Sequence, residues 1–383
     1  MSRPPRVLFA GGGTGGHLYP ALALASAFQA LPGGAEIFFL GAKRGVEARV
    51  LPERGVPHEL LPFEPIRRSR VWTNWRLVPA LFSAFSGIRR VFREFRPDLV
   101  VGTGGYASGP VVAWGIMRGV PTAIQEQNSY PGITTRLLAS RVRQIFLAFP
   151  EARALLKMGS RTKVFEMGNP IAPPDRSINR EEARRRFGLG EGPVVLVVGG
   201  SQGARLVNEA LLRDLTEVVE SGRTRPEGLS ILWATGPANH AAVAAGVERL
   251  GIGDWVRAEP YINDMPKALA VADLAISRSG AMMLAELCAW GVPGILVPFP
   301  HAAANHQFHN ARALADAGAA VLVPETELTT GRLWNEMVSL VSDSSRRAGL
   351  AARAAERGHP DAARQIVERM VTLTGSPAGE ESR

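Results

Sequence analysis

The run PVVLVVGGSQGA, residues 193–204, decides the fold. Val194 to Val198 is unbroken apolar and mostly β-branched, the composition of a strand buried on both faces of a parallel sheet. Glycines at 199, 200 and 203 then turn the chain, and a helical pattern follows. RVLFAGGGTGG at 6–16 has the same grammar and leads into a helix with Pro20 near its first turn, and LAISRSGA at 274–281 uses it again. A strand, a glycine turn and a helix opening each half of the chain read as two doubly wound Rossmann-like domains in series.

The first half carries further strand patterns at EIFFLG from Glu36, HELLPF from His58, PDLVVGTGG from Pro97, PTAIQEQN from Pro121, QIFLAF from Gln144 and KVFEMGNP from Lys163, with a long helix around Trp75 to Phe95. In the second half SILWATG, DWVRAEPYI, DLAISRSGA, PGILVPFP and AAVLVPE are each trailed by a helix. Pro170, Pro173, Pro174 and an Arg-rich helix mark the linker between them. The expected class is α/β, with domains at 1–170 and 171–356 facing a cleft and a last helix within 357–375 packing back on either one. Ligands of such sheets lie beyond the carboxyl ends of the strands, so the site is expected in that cleft. The tail after Gly375 is expected to be disordered.

At 383 residues the chain exceeds one comfortable core, and its 46% hydrophobic content is globular. No run approaches the roughly 18 apolar residues needed to span a bilayer. The opening MSRPPRVLFAGGG lacks a signal-peptide layout, so a cytoplasmic location is expected. The single cysteine, Cys288, excludes an intrachain disulfide framework and a cysteine-rich metal centre. Lys plus Arg of 44 against Asp plus Glu of 35 leaves +9, which favours an anionic partner.

Several stretches carry candidate chemistry. In LAISRSGAMMLAELCAW at 274–290 the helix begins at Ala281, just past a strand, and its unpaired N–H groups and dipole invite a phosphate. Glu286, in the second turn, either accepts hydrogen bonds from ribose hydroxyls or is an ordinary solvated glutamate. Gly199 to Arg205 offers N–H groups and the Ser201 hydroxyl to a phosphate. Gly11 to Gly16 also satisfies G-x-G-x-x-G, but Leu40 to Arg44 lacks the acid that a dinucleotide fold places there and suits only a 2′-phosphorylated cofactor. That reading leaves the second glycine loop and Glu286 unused. His17, directly after the first loop, either takes a proton from an attacking hydroxyl or only binds a substrate oxygen.

GTGGYASGP at 102–110 and Gln125-Glu126-Gln127-Asn128 are expected on the same rim. PFPHAAANHQFHN at 298–310 holds three histidines without a carboxylate at ligand spacing, which favours sugar hydroxyls over a metal. Residues 66–95 interleave Trp72, Trp75, Leu81, Phe82 and Phe85 with seven arginines, as in a helix that dips into an anionic membrane surface; the alternative is a plain amphipathic core helix. No recognition module for nucleic acid surrounds them.

Taken in order, GGGTGGH, GTGGYASGP, QEQN, GNP, GGSQGAR, SRSGA with Glu286, and the HQ-containing loop with its following AGAA resemble the MurG family of peptidoglycan glycosyltransferases. The resemblance implies a GT-B fold and inverting, metal-independent transfer of N-acetylglucosamine from UDP-GlcNAc to the muramyl 4-hydroxyl of lipid I (undecaprenyl-diphospho-MurNAc-pentapeptide), giving the β-1,4 bond of lipid II without a cofactor. It implies donor contacts from Thr14, Gly15, Gly16, Asn128, Ser201 and the Ile262 backbone. Ala281, Met282, Met283, Leu284, Ala285 and Glu286 would hold the diphosphate and ribose, and His306 and Gln307 the sugar. Acceptor contacts are implied from Gly104, Gly105, Tyr106 and Glu126, with His17 as the catalytic group. A peripheral location on the cytoplasmic face of the cell membrane and wall-synthesis partners are implied as well. Two departures stand out: Ile171 and Ala172 occupy a place where many relatives have an Arg, and His306 stands where a Gln is common. The contact of that Arg is lost or taken by Arg176. Competing readings are another GT-B UDP-sugar transferase, a UDP-sugar epimerase, and a nucleotide-sugar-gated membrane adaptor.

Overall fold

The computed structural model describes residues 3–64, 78–200 and 204–375. The chain divides into two compact units, one from the residues up to Ala172 together with those from Asp361 on, the other from Pro173 to Pro360.

The first unit runs β1 (Arg6–Gly11), α1 (Gly15–Gln29), β2 (Glu36–Ala42), α2 (Glu47–Glu53), β3 (His58–Leu61), α3 (Val78–Phe95), β4 (Leu99–Gly104), α4 (Ser108–Met117), β5 (Thr122–Glu126), α5 (Ile133–Leu138), β6 (Gln144–Leu147) and β7 (Lys163–Glu166). Its strands form one parallel sheet in the order β3-β2-β1-β4-β5-β6-β7. Side chains alternate along β1, so Val7 and Phe9 enter one core with Leu18, Phe28 and Phe39, while Leu8 and Ala10 enter the other with Ile88, Val111 and Val112. Burial on both faces is why these strands are written as apolar runs. The strand order reverses between β1 and β4, and the two glycine-rich loops leave these two strands, at the switch point where such sheets bind ligands.

The second unit runs α6 (Arg180–Phe187), β8 (Val194–Val198), α7 (Arg205–Glu220), β9 (Ser230–Ala234), α8 (Pro237–Arg249), β10 (Val256–Glu259), α9 (Met265–Val271), β11 (Leu274–Ser277), α10 (Ala281–Trp290), β12 (Gly294–Leu296), α11 (His306–Asp316), β13 (Ala320–Leu322), α12 (Arg332–Ser342) and α13 (Ser344–Glu356). The sheet is again parallel, in the order β10-β9-β8-β11-β12-β13, with its reversal between β8 and β11. Val194 to Val198 is buried throughout at the centre of this sheet. A final helix, α14 (Ala362–Val371), packs on α1 and buries Ile366, Val367 and Met370 in the first unit's core.

One expectation needs correction. The helix after the first glycine loop begins at Gly15, so Pro20 lies inside α1 at its sixth position and not in the first turn. The free N–H groups of α1 therefore belong to the glycine loop itself. No described helix is long and apolar enough to cross a membrane. Trp72, Trp75 and Ser201 lie outside the described residues, and Leu81 is placed only by the backbone of α3. Phe82 is 74% exposed, whereas Phe85, at 40%, packs its ring against Trp114.

Candidate functional site

In the first unit, the N-terminus of α1 is open: Thr14 makes no side-chain cap and the first turn holds no acid. The rest of its glycine loop is already engaged. Gly13 N donates to both oxygens of Glu47, at 3.0 and 2.8 Å, and Ala42 N donates to Glu47 Oε1 at 2.9 Å. Glu47 is wholly buried, and a Cβ at Gly12, Gly41 or Gly45 would lie 2.2, 2.6 or 2.1 Å from its side-chain atoms. These glycines make room for a carboxylate of the protein itself. One N–H group of this loop is thus satisfied internally, which counts against the dinucleotide-cofactor reading of Gly11 to Gly16. Tyr106 lies against Gly13, and burial, then the Glu47 charge, pushes its hydroxyl above the ordinary tyrosine range.

The two switch-point loops touch. At Gly105, with φ +79°, a Cβ would stand 2.0 Å from Gly12 O, so only glycine allows the approach. His17 sits between them in the first turn of α1. Thr103 Oγ1 donates to His17 O at 2.8 Å, Gly104 lies against the imidazole, and Nδ1 is 3.0 Å from Gln127 Oε1. Glu126 is buried and spends its carboxylate on its own loop, accepting from Asn128 N at 3.2 Å, Gly132 N at 2.9 Å and Thr135 Oγ1 at 2.5 Å. It shapes the segment that presents the partly exposed Asn128. Thus Thr14, Gly15, Gly16, His17, Gly104, Gly105 and Tyr106 are brought together.

In the second unit, Ser277 ends β11, Arg278-Ser279-Gly280 turns, and α10 starts at Ala281 with neither a side-chain cap nor an acid in its first turn. The positive end of the α10 dipole favours an anion here. Ala281 and Leu284 bury their side chains, whereas Met282, Met283, Ala285 and Glu286 are partly exposed. Burial pushes the Glu286 carboxyl up to about 7. Val198, the last residue of β8, lies beside this turn, since Arg278 N donates to Val198 O at 3.3 Å.

The 298–307 loop is stapled to the same turn. Arg278 donates to Val297 O and Pro298 O, each at 3.2 Å, pairs with Glu325, and lies 5.4 Å over the Phe299 ring. Ser279 Oγ donates to Gln307 O at 2.8 Å, and Gln307 Oε1 accepts from Phe299 N at 3.0 Å. The carbonyl end of Gln307 is thereby committed and its amide N–H₂ points elsewhere. Ala304 and Asn305 hold φ of +52° and +54°, a strained pair just ahead of His306. His306 Nδ1 lies 2.8 Å from Ala303 O. Ile262 is buried in the loop between β10 and α9. Among the described residues, no group of three or more His, Cys, Asp or Glu side chains is placed to hold a metal.

Sequence reasoning missed Glu47, the Gln127 contact to His17, and the Arg278–Glu325 pair. Gln127 and Arg278 stand in the QEQN and SRSGA stretches, but the partners of all three lie in other loops, which no local pattern gives.

Two parallel sheets, each with a switch point in its strand order, are the GT-B fold of nucleotide-sugar glycosyltransferases. The models of the N-terminal and C-terminal domains of glycosyltransferase family 28 match residues 7–147 and 194–366. The UDP-N-acetylglucosamine--N-acetylmuramyl-(pentapeptide) pyrophosphoryl-undecaprenol N-acetylglucosamine transferase of Moorella thermoacetica is 42% identical over 371 residues, 95% of this chain and 97% of its own. That of Listeria monocytogenes is 37% identical, covering 96% and 99%. The crystal structure of Acinetobacter baumannii MurG is similar with a TM-score of 0.76 and 28% identity over 96% of this chain and 100% of its own. The chain belongs to the MurG family of glycosyltransferases. The complex of Anabaena HepE with UDP and glucose, at 13% identity over 97% of this chain and 100% of its own with a TM-score of 0.59, shares the fold alone.

Proposed function

We propose that this chain transfers N-acetylglucosamine from UDP-GlcNAc to the muramyl 4-hydroxyl of lipid I, forming lipid II, with the donor on the second unit and the acceptor on the first. The observation that carries the reading is 42% identity through both units to a transferase of that name. The stretch Ala281 to Ala285, at the N-terminal end of α10, holds the diphosphate, Glu286 accepts from the ribose hydroxyls, and the Ile262 backbone meets the uracil. Ser201, Thr14, Gly15, Gly16 and Asn128 complete the donor contacts. Gln307 donates its remaining amide hydrogens to the sugar beside His306. Gly104, Gly105 and Tyr106 face the acceptor, while Glu126 orders the loop next to it.

The lipid-borne hydroxyl attacks in line at the α-linked anomeric carbon and inverts it, as His17 removes its proton. Helix N–H groups and dipoles stabilise the departing UDP, so no divalent ion is required. Positioning of two bound substrates supplies much of the remaining acceleration. Phe82 and Phe85, with Leu81, Trp72 and Trp75 of the same segment, dock the first unit on the anionic cytoplasmic face of the membrane. The test is UDP release with a lipid I analogue, with and without chelator. Turnover should survive the chelator and fall about 10²- to 10⁴-fold in His17→Ala. Loss of turnover on metal removal defeats the metal-independent mechanism, and a fully active His17→Ala defeats the base.

A further inference from the structure

A proton-accepting imidazole must present its unprotonated nitrogen to the attacking hydroxyl, and which nitrogen that is depends on the bond the other one makes. His17 Nδ1 lies 3.0 Å from Gln127 Oε1. Two backbone carbonyls settle the orientation of that amide: Gln127 Nε2 donates to Thr103 O at 2.9 Å and to Gln125 O at 2.8 Å. Turned over, the amide would press its oxygen against both. The far end of the network agrees. Asn169 Nδ2 donates to Gln127 O at 3.2 Å, so Asn169 Oδ1 accepts from Gln125 Nε2 at 2.9 Å and Gln125 Oε1 is left facing Gln127 Nε2. Gln125, Gln127 and Asn169 are each at most 2% exposed, so water does not compete for these bonds. On the other side of the ring, a Cβ at Gly104 would stand 2.7 Å from Nδ1, so the imidazole rests on bare backbone and has little room to turn.

We propose that Gln127 is a positioning residue that holds neutral His17 with its proton on Nδ1, leaving Nε2 as the atom that accepts the proton of the attacking hydroxyl. The inference deepens the assignment of His17 as the base and rests on it for its catalytic meaning. In the transfer, the hydroxyl O–H bond breaks as Nε2–H forms. The new glycosidic C–O bond forms as the bond from the anomeric carbon to UDP breaks, and UDP leaves with that electron pair. The imidazolium keeps Nδ1–H on a neutral carbonyl. That neutral amide does not trap the added proton, and solvent removes it before the next turnover.

The deciding measurement is the ¹⁵N spectrum of the imidazoles in the full chain, with His17 assigned by its loss in His17→Ala and recorded at a pH where the ring is neutral. A protonated-type shift at Nδ1 with an unprotonated-type shift at Nε2 supports the proposal; the reverse pattern overturns it. Gln127→Leu, checked for folding by its melting temperature, should lower kcat about 10- to 100-fold, leave KM for UDP-GlcNAc within about 2-fold, and give mixed-tautomer shifts at His17. Unchanged kcat with an unchanged spectrum in that variant overturns the role of Gln127. If His17→Ala is fully active, the base assignment fails by itself, and the wild-type spectrum still reports whether Gln127 sets the tautomer.

Discussion

Glu286 concentrates the conflict between stability and binding at one residue. Its folded carboxyl titrates near 7 against an ordinary 4.5, because burial penalises the charged form. The native state thus holds the extra proton between these values, and stability falls as pH rises from about 4.5 to about 7, with no further loss above that. The cost is on the order of 3 kcal/mol at most. Glu286→Gln should therefore melt higher than the parent at pH 8 and no higher at pH 4. It should also bind UDP roughly 10- to 100-fold more weakly, through the loss of charge-assisted bonds to ribose. Calorimetric titration with UDP checks the second outcome, and equal affinities would remove the ribose contact. Glu286 stood out in the chain by its place in the second turn of a helix that follows a strand, and Gln307 by the resemblance to relatives. Glu47 did not, since nothing near Ala42 or Gly45 announces that a helix-opening glutamate will receive N–H groups from a loop 34 residues away.

Among elements, α3 shows how far a pattern can be trusted. Alternation of aromatic and basic residues left open whether the helix is core or surface-docking. The fold divides the answer: Ala84, Ile88 and Val91 are buried in the first unit, whereas Phe82 projects at 74% exposure. Inserting one phenylalanine into a bilayer interface gains about 1.5–3 kcal/mol. Phe82→Ser should accordingly weaken sedimentation with anionic phospholipid vesicles about 10- to 100-fold while leaving UDP affinity unchanged; undiminished vesicle binding would place the membrane contact elsewhere. The loops at the carboxyl ends of β11 and β12 carry a similar lesson. Their polar composition is plain in the sequence, but the staple from Arg278 and Ser279 that aims Gln307 depends on which strands lie side by side.

At the scale of the whole molecule, the chain leaves the first unit at Pro173 and returns at Asp361, so the first unit is closed by residues from both ends. Ile366 is fully buried beside Phe9, Phe28 and Phe39. Ile366→Ala should cost about 2–5 kcal/mol. Scanning calorimetry should show the loss in the first unit, with the second unit's transition unmoved; an unaffected first transition would mean that α14 contributes little to that core.

The alternation of strands and helices, the two glycine-turn openings and the helix N-terminus at Ala281 were determined by the sequence alone. Strands buried on both faces must be apolar runs, and a chain that reverses tightly into a helix needs glycine. Only the tertiary structure decided that Glu47 fills the first glycine loop, that Gln127 meets His17, and that α14 completes the first core. Those contacts join residues far apart in the chain, and hydrogen bonds and packing respond to distance in space, which no local periodicity records.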